Sequence, residues 1–133
     1  MATLPSTFNQ QLSALFKLIQ DNLPGNEEIT KAAAYMDNLR RTNPRISIFM
    51  WKKFVATPYG DEIRAGNIEF FLTKDYESDL SAITAITERD KQKIIDVINN
   101  GIRAPMREIY ASHADEICIR MQTLVNIADA YTP

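Results

Sequence analysis

Apolar residues return every three or four positions through one segment after another of this chain, and that spacing commits the backbone to helices. Phe8, Leu12, Leu15 and Ile19 step by four, three and four, with Phe16 beside them. Ser6 or Thr7 is the expected cap, and Leu23-Pro24-Gly25 the stop. Asn26 then stands as an N-cap before Glu27 and Glu28, whose charges favour the positive helix start, and Ile29, Ala32, Ala33, Met36 and Leu39 follow to an end near Arg41. Asn43-Pro44 pairs a capping side chain with a proline at the first helical position, and Ile48, Trp51 and Val55 share the face that follows. The alternation of Ile46, Ile48 and Met50 competes as a strand, but Lys52-Lys53 and the cap favour helix. Thr57-Pro58 repeats the cap-plus-proline pattern, so a short helix is expected to about Ala65, closed by Gly66.

The stretch 67–80 is harder: Ile68, Phe70, Phe71 and Leu72 suit a short helix or an extended piece, and the expectation is an irregular segment with one or two helical turns. Beyond it, Thr87 and Asp90 resemble a capping box opening Ile94, Ile95, Val97, Ile98 and Ile102. Gly101 and Pro105 interrupt that pattern, which predicts a kink or break before Met106, Ile109 and Tyr110. Ile117, Met121, Leu124, Val125, Ala128 and Tyr131 form the last helical series. With 133 residues there is material for one core. The expectation is therefore all-α: residues 1–133 as one compact domain, a bundle or orthogonal array of about six helices.

A single cysteine, Cys118, excludes an internal disulfide and reads as a small core residue in a reducing compartment. The N-terminus lacks a basic stretch followed by an apolar one, and no run approaches the roughly 20 apolar residues that cross a bilayer. The chain is expected to be soluble and intracellular, with no membrane partner.

Residues that carry chemistry are scarce. The one histidine, His113, lies beside Ser112 and Asp115, but triad members are assembled by the fold and not by closeness in sequence, so it reads as an exposed helix-start histidine. One Cys and one His supply no zinc ligand pair. Asp75, Glu77 and Asp79 alternate as in a calcium loop, yet Leu80 and Ile86 stand where that loop needs glycine and glutamate. Gly60, Gly66 and Gly101 are isolated and none builds a phosphate loop. These observations point away from an enzyme, a metal site or a cofactor.

Charge layout says more than the net charge of −2. No acidic residue lies between Asp37 and Asp61, where Arg40, Arg41, Arg45, Lys52 and Lys53 form a candidate basic surface. From Asp61 to Asp79 six carboxylates face two cations, Arg64 and Lys74. The cations could contact phosphates, with Trp51 or Tyr59 stacking on bases. Alternatively, Arg40 and Arg41 offset the negative end of the second helix, Lys52 and Lys53 are a wet face, and Trp51 is core. A basic side and an acidic side also suit head-to-tail packing or a charged protein partner. Phe70, Phe71 and Tyr76, crowded among Glu69, Asp75 and Glu77, are candidate partner-facing aromatics; otherwise both phenylalanines enter the core and Tyr76 plugs its edge.

Three segments occur together: Tyr35-Met36-Asp37-Asn38-Leu39-Arg40-Arg41-Thr42-Asn43-Pro44-Arg45, Pro58-Tyr59-Gly60-Asp61-Glu62-Ile63, and Asn67-Ile68-Glu69-Phe70-Phe71-Leu72 with Lys74-Asp75-Tyr76. As a set, over about residues 33–80, they resemble small helical proteins of unassigned function encoded by large double-stranded DNA viruses of algae and protists. Around Ile102-Arg103-Ala104-Pro105-Met106 the likeness is loose. The resemblance implies a viral product in host cytoplasm or in the virion. The leading expectation is a non-enzymatic interaction or structural protein, either a virion component or an infection-specific adaptor with a viral or self partner. The alternative is a nucleic-acid-associated factor using the basic 40–53 segment.

Overall fold

The computed structural model describes residues 3–73, 89, 92–93 and 96–132. Six helices are described: α1 (Leu4–Asn22), α2 (Glu27–Thr42), α3 (Ile46–Trp51), α4 (Thr57–Arg64), α5 (Ile68–Thr73) and α6 (Ala104–Ala130). Two wide turns of π type, π1 (Lys52–Ala56) and π2 (Val97–Arg103), lead into α4 and α6. The chain is all-α and compact, with no strand among the described residues. Helix α1 packs along α6, α2 lies against π2, and one cluster of buried side chains draws on every element.

Local chemistry sets most boundaries. The first helix opens earlier than Ser6 or Thr7: the Ser6 N–H donates to Thr3 Oγ1 at 3.2 Å, so Thr3 is the cap. Pro5 is tolerated in the first turn because its missing N–H would have no helical acceptor there. Asn26 caps α2 as expected, accepting from the Ile29 N–H at 3.1 Å. Gly66, at φ +88°, closes α4 in a Schellman motif: its N–H reaches the Ile63 carbonyl at 3.0 Å and that of Asn67 the Glu62 carbonyl at 2.8 Å.

Pro58 and Pro105 differ from the sequence expectation in the same way. Thr57 does not cap a new helix; its backbone is helical and its N–H reaches back five residues to the Lys52 carbonyl, which its hydroxyl also contacts at 2.7 Å. Ala104, before Pro105, likewise donates to the Asn99 carbonyl. In each case proline removes an N–H and crowds the carbonyl four residues back, and the helix widens upstream in place of breaking. Pro44 is the exception: Asn43 caps the end of α2, Pro44 and Arg45 form a turn, and α3 starts at Ile46.

The expected break before Met106 is thus a wide turn, and the actual kink in α6 falls at His113, whose φ of −130° is not helical. The Ser112 hydroxyl donates to the Ile109 carbonyl at 3.2 Å, the acceptor that an unbroken helix would offer to the His113 N–H. His113 is therefore at a kink and half-buried, not an exposed helix start. In the stretch 67–80, residues Ile68–Thr73 are helical. Tyr76, the acidic stretch 75–79, the Thr87/Asp90 box and the side chains of Ile94, Ile95, Val97 and Ile98 lie outside the described residues.

Candidate functional site

Three helix ends are held by side chains from distant segments, and this decides which charges remain available. Gln122 Nε2 donates to the Ile63 and Arg64 carbonyls at 3.3 and 3.2 Å, closing α4. Arg107 donates to the Leu72 carbonyl at 2.9 Å in α5. Lys52 Nζ reaches the Asp129 carbonyl at 3.5 Å and the Tyr131 carbonyl beside it, at the negative end of α6. Lys52 is thereby taken out of the basic surface, and Lys53 lies over the Phe49 ring at 5.4 Å.

Arg40, Arg41 and Arg45 remain together around the α2–α3 turn. Asn9 of α1 fixes that turn: it is 7% exposed, and its Nδ2 donates to the Pro44 carbonyl at 3.0 Å. Asn43 Oδ1 accepts from the Arg45 N–H at 3.2 Å. Arg40 lies 3.5 Å from Asp37, in an exposed pair worth little. Arg41 and Arg45 have no ion-pair partner among the described residues. Arg40 and Arg45, with Ser6 and Gln10 of α1, line an open groove of about 490 Å³.

The opposite corner is acidic. Asp61, Glu62 and Glu69 are at least partly exposed, the first two in α4 at the far end of the 46–64 run and Glu69 in α5 just beyond it. Arg64 offsets part of this charge, paired with Asp61 at 3.4 Å and with Asp129, and bonded to Asn126 at 3.1 Å. Here the candidate aromatics separate. Phe71 is fully buried, edge-on to Tyr59 at 6.0 Å and under the Arg103 guanidinium at 5.6 Å, so it is core and not a partner-facing residue. Phe70 packs against Tyr59 at 5.7 Å but stays 39% exposed.

Comparison with protein families, curated proteins and solved structures finds no match. No group of three or more metal-ligating side chains occurs among the described residues, and no described helix is long and apolar enough to cross a membrane. Ser112 Oγ lies 2.8 Å from His113 Nδ1, but that hydroxyl also bonds its own helix. Tyr110, between α5 and the kink, has its hydroxyl raised above the ordinary value of 10.0 by burial and then by the nearby Glu69, Cys118 and Asp115.

Sequence reasoning missed Asn9 and Ser47. Both are polar residues on apolar helical faces, Asn9 three before Leu12 and Ser47 four before Trp51, and both are buried. A polar side chain on an apolar stripe was the available signal.

Proposed function

We propose that this chain is a non-enzymatic interaction or structural protein that docks through its charged corners on a protein partner or on further copies of itself. The observation carrying this is the placement of Arg40, Arg41 and Arg45 at one end of the 46–64 run and of Asp61, Glu62, Glu69 and half-exposed Phe70 at the other. Opposite charges at two separate corners favour heterologous contacts, in which one copy's basic corner meets an acidic surface. A role in virus-infected cytoplasm, as virion component or adaptor, rests on the sequence resemblance alone. Mass spectrometry of purified particles and a pull-down from infected cells test it. Light scattering at low and high salt tests self-association, with assembly expected to weaken as salt rises. Absence from particles, no stable partner and a salt-independent monomer would together refute the proposal.

The second reading, a nucleic-acid-associated factor, is favoured by Arg41 and Arg45, which have no ion-pair partner among the described residues, but loses Lys52 to α6. With Arg40, Arg41, Arg45 and the exposed Lys53 left, log affinity should fall with log salt at a slope of about −3 to −4. A mobility-shift titration at two salt concentrations measures that slope, and no shift at low salt ends the reading.

A further inference from the structure

Between α1, α2 and α3 lies a second, smaller cavity of about 170 Å³, in which Arg40 is bonded to Ser13 at 3.4 Å and paired with Asp37 at 3.5 Å, while two other lining residues keep hydrogen-bonding atoms free among the described residues. Ser47 lines it, is 4% exposed, and its hydroxyl makes no hydrogen bond among the described residues. Asn9 lines it too: its Nδ2 is used on Pro44, and its Oδ1 has no partner among the described residues. Buried hydroxyls and amides normally find partners in the protein or in a bound molecule, so two such groups facing one cavity mark a place for something that hydrogen-bonds. Phe16 and Met36 supply apolar walls, and the Asp37 carboxylate, paired with Arg40 at 3.5 Å, has a second oxygen that can accept. The volume is close to that of cavities of about 150 Å³ that accept a six-membered ring. Asn9 and Arg40 also line the basic groove, so the two spaces share a wall.

We infer that this two-part cleft binds a nucleoside monophosphate: the base enters the Asn9–Ser47 cavity and the phosphate meets Arg40 and Arg45 in the groove. A flat ring fits between Phe16 and Met36, and an exocyclic amino group on the base supplies the donors that Asn9 Oδ1 and Asp37 accept. The guanidinium groups bind phosphate in forked geometry, and the open groove leaves room for the sugar. Bases with an amino group are preferred over uracil because uracil's carbonyl would face Asn9 Oδ1 or Asp37. This inference shares Arg40 and Arg45 with the docking proposal, and Ser47, which belongs to neither charged corner, is the residue that tells the two apart.

The test is an amide chemical-shift titration of the intact chain with AMP, CMP, GMP and UMP, beside adenosine and inorganic phosphate, each to about 5 mM at low salt. Shifts should concentrate at Asn9, Arg40, Arg45 and Ser47, with the amino-bearing nucleotides tighter than UMP and tighter than either fragment. Ser47→Ala removes a hydroxyl with no partner among the described residues, so unfolding should be unchanged while binding weakens about three- to tenfold. Arg45→Gln, at an exposed residue, should weaken nucleotides and phosphate alike. Three outcomes would each overturn the inference: no shift with any nucleotide, phosphate alone binding as well as nucleotides in both Ser47 forms, or shifts confined to other surfaces.

Discussion

Alanine at Gly101 should destabilise the protein, whereas alanine at the other helical glycine, Gly60, should not. A Cβ on Gly101 would lie 2.3 Å from the Ala32 Cβ, where carbon atoms normally stay about 3.5–4.0 Å apart. The Ala32 methyl has no torsion with which to move aside, so α2 and π2 would have to separate by more than about 1 Å. Overpacking of this kind costs roughly 1–3 kcal/mol, against a gain of about 0.5–1 kcal/mol for replacing a helical glycine, leaving a net loss of up to about 2.5 kcal/mol. At Gly60 the nearest atoms are the flexible Arg64 end at 3.4 Å and the Val125 methyl at 3.5 Å, so the glycine-to-alanine gain should survive. Urea unfolding of both variants measures the two signs. The double variant Gly101→Ala with Ala32→Gly moves the methyl across the contact and should recover most of the overpacking. Equal signs at the two glycines, or a double variant no better than the sum of its parts, would refute the close crossing of α2 and π2.

Phe71→Ala should cost about 3–5 kcal/mol in chemical unfolding and Phe70→Ala clearly less, since only Phe71 is fully enclosed. Equal losses would return Phe70 to the core. Lys52→Met keeps the apolar stem but strips the end of α6 of its donor, and should lower stability by about 0.5–1.5 kcal/mol without affecting any anion binding that Arg45→Gln weakens. Because burial raises the Tyr110 hydroxyl, folding holds that proton more tightly than the unfolded chain does; its contribution is complete below 10.0 and lost as pH climbs through the higher folded value. Unfolding midpoints between about pH 8 and pH 11 should therefore fall less steeply in Tyr110→Phe than in the native protein.

The helical period and the Asn26 and Gly66 signals carry their structural meaning within a few residues, which is why α2 and the end of α4 were legible in the sequence. Thr57 was misread because a hydroxyl before a proline can bond forward as a cap or backward to a carbonyl, and only the continuing helix decides. Lys52 looked like one of five equivalent cations; its service to α6 depends on residues nearly eighty positions away. The cavity was hidden for the same reason, as Asn9 and Ser47 meet only after α1 and α3 have packed. His113 gave no sign of a kink, since the competing donor is the Ser112 hydroxyl, whose reach to the Ile109 carbonyl depends on its conformation.

The wide turn π1 bears on how this chain can change length. Trp51, Val55, Tyr59 and Ile63 are all buried at steps of four, although four residues of an ordinary α-helix overshoot one full turn by about 40°. The wider turn absorbs that excess, in effect storing one residue. Deleting a residue within 52–56 together with Pro58→Ala should close the run into a regular helix that still points Tyr59 and Ile63 inward. The same deletion in the middle of α2 would rotate everything beyond it by about 100° and turn the apolar face to water.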